Sequence, residues 1–426
     1  MFNGMFRSLN NRNYRIWASG AIVSNIGTWM QRTSQDWLVL TELTHNNASA
    51  VGIVMALQFG PQFLCLPLTG VAADYFDRRK LIMVTQATMA VLATVLGLLT
   101  VTGLVQLWHV YIFAFLFGCT SAFDAPARQV FVSDLVGDGD LPNAVALNST
   151  SFNSARMIGP AVAGIVIGTV GTGWSFLLNG LSFIAVLASL FLLRKNELHQ
   201  GGRAAGRAAG FTEGFRYVAH RDDLRTILIM LFLIGTFGLN FPIFISTMSV
   251  VVFHVGPSRY GVLYSVMAIG TVAAALLAAR REKPYMALLM GGALLFGSGC
   301  ALAAVMPNYY LFGAMLVLIG ISALTLTNSS NALMQLSTEP HMRGRVMAIR
   351  LAVALGGTPI GAPIVGWVAD TFGPRWALSV AAAGGFVAAI VALRYLLRHG
   401  QFPLSLSGGR LRFHPTSADR PAASGE

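Results

Sequence analysis

Apolar residues in this chain run in long stretches, and the polar and charged residues collect in the gaps between them. An α-helix needs about 20 mostly apolar residues to cross a bilayer. Reading for that length predicts twelve spans, at 14–40, 50–73, 80–102, 108–133, 143–170 and 174–193, then 225–252, 260–280, 285–306, 309–336, 344–371 and 375–397. Several are longer than a bilayer requires and are expected to tilt or protrude. The pattern divides the chain into a first six-helix bundle (1–193), a basic linker with an interfacial helix (194–222), a second six-helix bundle (223–399) and a disordered tail (400–426). In the linker, Phe211, Phe215 and Val218 recur at helical spacing, which suits a short helix lying on the membrane surface.

The charges orient these spans. An even number of crossings puts both termini on one side, and the basic N-terminal segment makes that side the cytoplasm. The inner loops then receive Arg78, Arg79 and Lys80, the linker arginines, Arg280, Arg281 and Lys283, and Arg343 and Arg345, while the outer loops hold only Arg259 and Arg375. Trp108, Trp174 and Trp376 fall at the outer interface, where indoles prefer to sit. Composition agrees: 55% of residues are hydrophobic and 11% charged, with mean hydropathy +0.64, too little charge to cover a soluble protein of this size. The net charge of +12 is spread over short loops without interleaved aromatics, so topology explains it and nucleic acid is not an expected partner. Cys65, Cys119 and Cys300 stand singly in apolar runs and read as packing residues, with no metal-ligand spacing. The first apolar run continues past Val39 without a small-residue cleavage site and reads as a retained helix.

The two halves repeat. A shift of 202 residues aligns Gly159 with Gly361, Gly164 with Gly366, Gly171 with Gly373 and Trp174 with Trp376 without a gap, placing the fifth span opposite the eleventh. Two related six-helix halves are the architecture of many secondary transporters.

Between the second and third spans lies Gly70-Val71-Ala72-Ala73-Asp74-Tyr75-Phe76-Asp77-Arg78-Arg79-Lys80. It resembles the loop signature of the major facilitator superfamily, Gly-x-x-x-Asp-x-x-x-Arg-Arg/Lys-Lys/Arg. On the fifth span, Ala155-Arg156-Met157-Ile158-Gly159-Pro160-Ala161-Val162-Ala163-Gly164 resembles that superfamily's antiporter motif, with Ala for Gly at the first and penultimate positions. Residues 122–129, 141–148 and 153–164 are similar to a branch of bacterial exporters that includes the enterobactin exporter and the macrolide efflux pumps, the transmembrane secretion effector-like proteins. The resemblance implies an all-α major facilitator fold, a central cavity formed by spans 1, 4, 7 and 10, and export. It also implies a gate loop in which Gly70, Asp74, Arg78 and Arg79 latch the cytoplasmic side against the start of span 11. The fourth span departs from the wider superfamily, because Gly118 to Ala122 carry no arginine.

Few groups could carry a proton. Of 17 Asp and Glu, only Asp36 and Asp124 fall well inside predicted spans, and Asp74 and Asp370 sit at their ends. A charged aspartate at the bilayer centre costs about 2.5–3.5 kcal/mol, so each needs a partner or a wet cavity. Counting residues at 1.5 Å each puts Asp124 about 24 Å and Arg156 about 22 Å from the outer interface, level enough for an ion pair. Arg128, about 30 Å down, is level with Asp74 and placed to brace the loop. Arg32 and Asp36 are four apart on one face of the first span. Burial disfavours the Asp36 charge and the arginine favours it, a balance that suits either a proton carrier or a static bridge. Asn25, Gln31, Asn148, Asn240, Asn328 and Asn331 are further intramembrane polar groups, and Phe152, Phe237, Phe241 and Tyr264 are candidates for an adaptable apolar lining.

No phosphate-binding loop, nucleophile elbow or metal-ligand spacing is present, so neither enzymatic activity nor a cofactor is expected. The reading is an inner-membrane secondary transporter, expected to act as a monomer, that exports a small amphiphilic organic molecule such as a drug or siderophore in exchange for protons. A proton-coupled nutrient importer and a non-transporting membrane receptor are the alternatives. Flux direction and flux itself separate them.

Overall fold

The computed structural model describes residues 4–65, 68–69, 76–137, 139–199, 211–279, 284–400, 404–407 and 410–413. The first half contains α1 (Arg12–Trp37), α2 (Ala48–Leu64), α3 (Arg78–Val101), α4 (Leu107–Leu135), α5 (Leu141–Val170) and α6 (Thr172–Leu192). A short helix α7 (Phe211–Ala219) precedes the second half. There the seventh rod is jointed: α8 (Asp222–Leu233) passes through wider π-turns at Ile234–Gly238 to α9 (Phe241–Thr247) and a second π-segment, Met248–Val252. The remaining rods are α10 (Pro257–Ala279), α11 (Met286–Val305), α12 (Tyr309–Ser337), α13 (Arg343–Phe372) and α14 (Pro374–Arg398).

Twelve rods stand among the described residues, a number consistent with the twelve spans expected. Among the described residues nine are long and apolar enough to cross a membrane by themselves. The other three are α1, α2 and α5. Asn25, Gln31, Arg32, Gln35 and Asp36 dilute the apolar character of α1, and the described part of α2 ends at Leu64. The internal repeat is visible in the bounds: α4 and α12 are related by the 202-residue shift, as are α5 and α13. Gly171 and Gly373 close the latter pair at φ +94° and +102°, a backbone region open to glycine and strained for other residues.

The end of the bundle that carries Arg12 and Arg398 is called here the termini end, and the opposite end the far end. The halves meet along two seams, α2 against α13 and α5 against α10. Both seams depend on missing side chains. A Cβ on Gly52 would collide with the Ala362 carbonyl, and one on Gly366 would lie 2.6 Å from the Ala48 carbonyl oxygen. On the other seam, Gly164 and Gly261 face each other so closely that a Cβ on either would lie 3.0 Å from the other's Cα. At the far end, Asp370 at the close of α13 caps the start of α2. Its carboxylate accepts from the Ala48 N–H (2.6 Å), the Ser49 N–H (2.8 Å) and the Ser49 hydroxyl (2.5 Å). Orphan donors at a helix N-terminus and a carboxylate are complementary in hydrogen bonding and in dipole.

At the termini end the first half is held by its own polar contacts. Arg78 donates to Asp134 at 2.8 Å, and Arg79 donates twice to the Leu190 carbonyl, tying the start of α3 to the ends of α4 and α6. Asn13 exchanges two hydrogen bonds with the Arg194 backbone. The buried Tyr14 hydroxyl donates to the Ala144 carbonyl at 2.8 Å. Tyr14→Phe removes that hydrogen bond from a buried site and is expected to destabilise the first half by about 1 kcal/mol. Thermal unfolding in detergent checks this.

The linker helix α7 docks on α13. Glu213 pairs with Arg345 at 2.9 Å, Gly214 lies against Arg345 and Ile349, and Phe215 is left exposed on the outer face. The described residues of the tail depart from the expectation of disorder. Leu404–Ser407 and Arg410–Phe413 pair as an antiparallel hairpin, β1 and β2, with Leu404 opposite Phe413. Two alternating apolar and polar tetrads separated by Gly408-Gly409 carry a hairpin signal that tail composition masked.

Candidate functional site

Polar side chains inside the bundle decide what it can handle, and Asp124 is the best satisfied of them. Its carboxylate accepts from the Thr85 hydroxyl (2.7 Å) and the Gln86 amide (2.8 Å) of α3, and Arg128, one turn along α4, stands 3.7 Å away. The expected Asp124–Arg156 pair is therefore corrected. Counting residues fixes height but not azimuth, and a partner on the same helix at i+4 needs no second helix to face it. Arg128 also stacks on Trp17, with its guanidinium carbon 5.3 Å from the ring centroid. Whether it braces the gate loop falls outside the described residues, as do Gly70 and Asp74. Of that loop, Arg78 and Arg79 are described, and both serve the packing of α3.

The first-span pair is also rearranged. Arg32 does not close on Asp36. Its guanidinium lies between two rings, 5.0 Å from the centroid of Trp29 and 5.2 Å from that of Phe59 on α2. Among the described residues Asp36 has no ion pair, although it is 7% exposed and interacts electrostatically with Arg32 and with the Tyr260 and Tyr264 hydroxyls of α10. Tyr260 and Tyr264 meet edge to face at 5.5 Å, and Trp37 lies tilted over Tyr260 at 5.2 Å. Arg156, halfway along α5, faces α1 instead of α4. Its guanidinium is 6.0 Å from the same Trp29 ring that Arg32 covers, and Phe152 approaches that ring edge-on at 5.9 Å. The Arg156 side chain keeps an open surface.

The antiporter-motif residues lie on two seams at once. A Cβ on Gly159 would lie 2.5 Å from the Trp29 Cβ, so this glycine sets α5 against α1 within its half. The Pro160 carbonyl and Gly164 meet Gly261 of the other half, and Ser258 donates to the Gly164 carbonyl at 3.2 Å. The repeat performs the same two tasks: Gly361 packs on Thr236 of the jointed rod, and Gly366 packs on Ala48 across the halves.

The expected cavity set is only partly gathered. Gln31 turns away, accepting a 2.6 Å hydrogen bond from Asn179 of α6, a buried contact inside the first half. Phe237 packs against Gly384 of α14, and Phe241 meets Phe244 edge-on, so neither is shown facing the shared space. Asn240 is fully buried in the joint of the seventh rod and donates to the Thr236 carbonyl at 2.7 Å. Asn328 lines a cleft of about 380 Å³ with Ser329, Gln335 and Arg343, inside the second half. Asn25 is buried in α1, while Asn148 and Asn331 are half-buried. Phe152 and Tyr264 join the Trp29 and Asp36 clusters already described.

Sequence reading missed Trp29 as the shared platform, since a single aromatic in an apolar run gives no signal of its own. It also missed Arg350 of α13, which donates to the Thr327 carbonyl at 3.0 Å beside a small enclosed cavity of the second half. Asp370 was visible as a helix-end acid, but its role depends on a helix more than three hundred residues away.

The comparisons match this architecture. The sequence profile of the transmembrane secretion effector family covers residues 4–413. The staphyloferrin A transporter of Staphylococcus aureus is 27% identical over 83% of this chain and 89% of its own length. The multidrug efflux pump Tap of Mycolicibacterium fortuitum is 25% identical over 83% and 88%, and the enterobactin exporter EntS of Shigella flexneri 24% over 83% and 84%. Among solved structures, a POT family transporter in complex with a thioalcohol-conjugated peptide superposes with TM-score 0.72 at 13% identity, covering 91% of this chain and 96% of that one. A bacterial homologue of the human lysosomal transporter Spinster, inward-facing and unoccupied, superposes with TM-score 0.69 at 16% identity over 91% and 94%. The rods of the described residues form two repeated halves closed along glycine seams, and the chain belongs to the transmembrane secretion effector family of the major facilitator superfamily, multi-pass membrane transporters.

Proposed function

We propose that the chain exports a small amphiphilic organic molecule, drug-like or siderophore-like, across the bacterial inner membrane in exchange for protons, with both termini in the cytoplasm. The observation that carries the proton step is the contrast between its two intramembrane aspartates. Asp124 accepts from Thr85 and Gln86 and pairs with Arg128, whereas Asp36 is buried with no ion pair among the described residues. A desolvated carboxylate without an ion-pair partner can take a proton and lose it again. The far-end seams and the Asp370 cap support a cycle in which that end opens and closes. The names of the relatives support the outward direction.

Everted membrane vesicles containing the full chain test this with fluorescein and rhodamine 123 as reporters. Energised uptake of at least one dye, abolished by a protonophore, is the expected result. Asp36→Asn is expected to lower uphill accumulation at least tenfold while downhill dye exchange continues. Native accumulation by Asp36→Asn would remove this residue as the carrier. Accumulation only in right-side-out vesicles would make the protein an importer, and no flux in either orientation would favour a receptor.

A further inference from the structure

The chemistry around Trp29 is one-sided. Arg32 and Arg156 come from different helices and approach the same indole, at 5.0 and 6.0 Å. Neither makes an ion pair among the described residues. The buried Arg32 Nε has no hydrogen-bond acceptor, and neither does the Gln35 Nε2 three residues further along α1. These groups are all donors. The carboxylate closest in sequence, Asp36, is not within ion-pair distance of Arg32.

We infer that Arg32 and Arg156, with Trp29 between them, form a subsite for an anionic oxyacid group, a carboxylate in the first instance, on the transported molecule. This rests on the transport reading above and names the substrate class that reading leaves open. A guanidinium stacked on a ring keeps its N–H edge free, and that edge matches the two oxygens of a carboxylate. Phe59 and Phe152 border the same platform and offer faces to an aromatic or aliphatic body attached to the anion. Two cations without contact ion pairs among the described residues are unfavourable in a membrane interior until an anion arrives, so the site selects for one. With Asp36 charged, the cluster of Arg32, Arg156 and Asp36 still carries a net positive charge. In helix order Arg32 lies between Asp36 and Trp29, which screens the anion from that carboxylate.

The test uses the purified full chain in detergent and two dyes sharing a xanthene core, anionic fluorescein and cationic rhodamine 123, with binding read from dye polarisation. Fluorescein is expected to bind at least tenfold more tightly than rhodamine 123. Arg156→Gln and Arg32→Gln should each weaken fluorescein at least tenfold without weakening rhodamine 123, and Arg156→Lys should retain part of the preference. Elution of each variant as a monodisperse peak shows that it is folded. No fluorescein binding by the native chain, no preference between the dyes, or equal loss of both dyes in the variants would overturn the subsite. Flux in reconstituted liposomes separates this from the transport reading. Preferential binding without flux leaves the subsite standing and removes the transporter, and flux without charge preference does the reverse.

Discussion

Gly361→Ala is expected to be the most damaging single methyl in the protein, lowering stability by about 3 kcal/mol or more, beyond the usual range for overpacking. The added carbon would fall on the Thr236 carbonyl, within the π-turn of the jointed rod, and a Cβ on Gly357 one turn earlier would lie 2.8 Å from the same segment. Backbone meets backbone there, so no side chain can swing aside. Its repeat partner, Gly159→Ala, meets the Trp29 Cβ at 2.5 Å and the Ile26 carbonyl at 3.0 Å, where part of the obstruction is a side chain. Thermal unfolding in detergent should therefore rank Gly361→Ala well below Gly159→Ala and both below the native chain. Equal melting of all three would mean that the close approach of α13 to the seventh rod is wrong.

The second large effect concerns the balance between states. Asp370→Ala removes an acceptor that serves three donors at the start of α2. The side chain is exposed, so water offsets part of the loss, and the remaining effect on the closed far end is about 1.4 kcal/mol, as for a strong helix cap. That corresponds to a shift of roughly tenfold toward states in which the far ends part. Spin labels at Asn46 and Trp376, on opposite halves at this end, should report a growing population of longer distances, while dye affinity at the Trp29 subsite stays within twofold. An unchanged distance distribution would reduce Asp370 to a local cap.

Much of the architecture was legible because membrane spans and repeats are one-dimensional signals. Span length, loop charge and the 202-residue shift needed no knowledge of which helix faces which, and the matching bounds of α5 and α13 reflect that. The site was less legible because it depends on azimuth and competition. Arg32 and Asp36 have the spacing of a pair, yet two aromatic rings hold the arginine instead. Asp124 and Arg156 are level, yet Arg128 is nearer to the aspartate. Gln31 found Asn179 on a helix that no local pattern connects to it. The interruption of the seventh rod could have been read from Gly235, Gly238, Asn240 and Pro242, which gather breakers and a polar side chain in a run taken as one continuous span.

That interruption has a mechanical consequence. The short piece Phe241–Thr247 touches α1 and α2 of one half and α10, α13 and α14 of the other, so it is gripped from both sides. A rigid rod so gripped would transmit every displacement of the far mouth to the opposite face. With knuckles on either side, the piece can pivot as an independent cam while Asp222–Leu233 stays anchored. The far mouth can then change shape without dragging Asp222–Leu233 along with it.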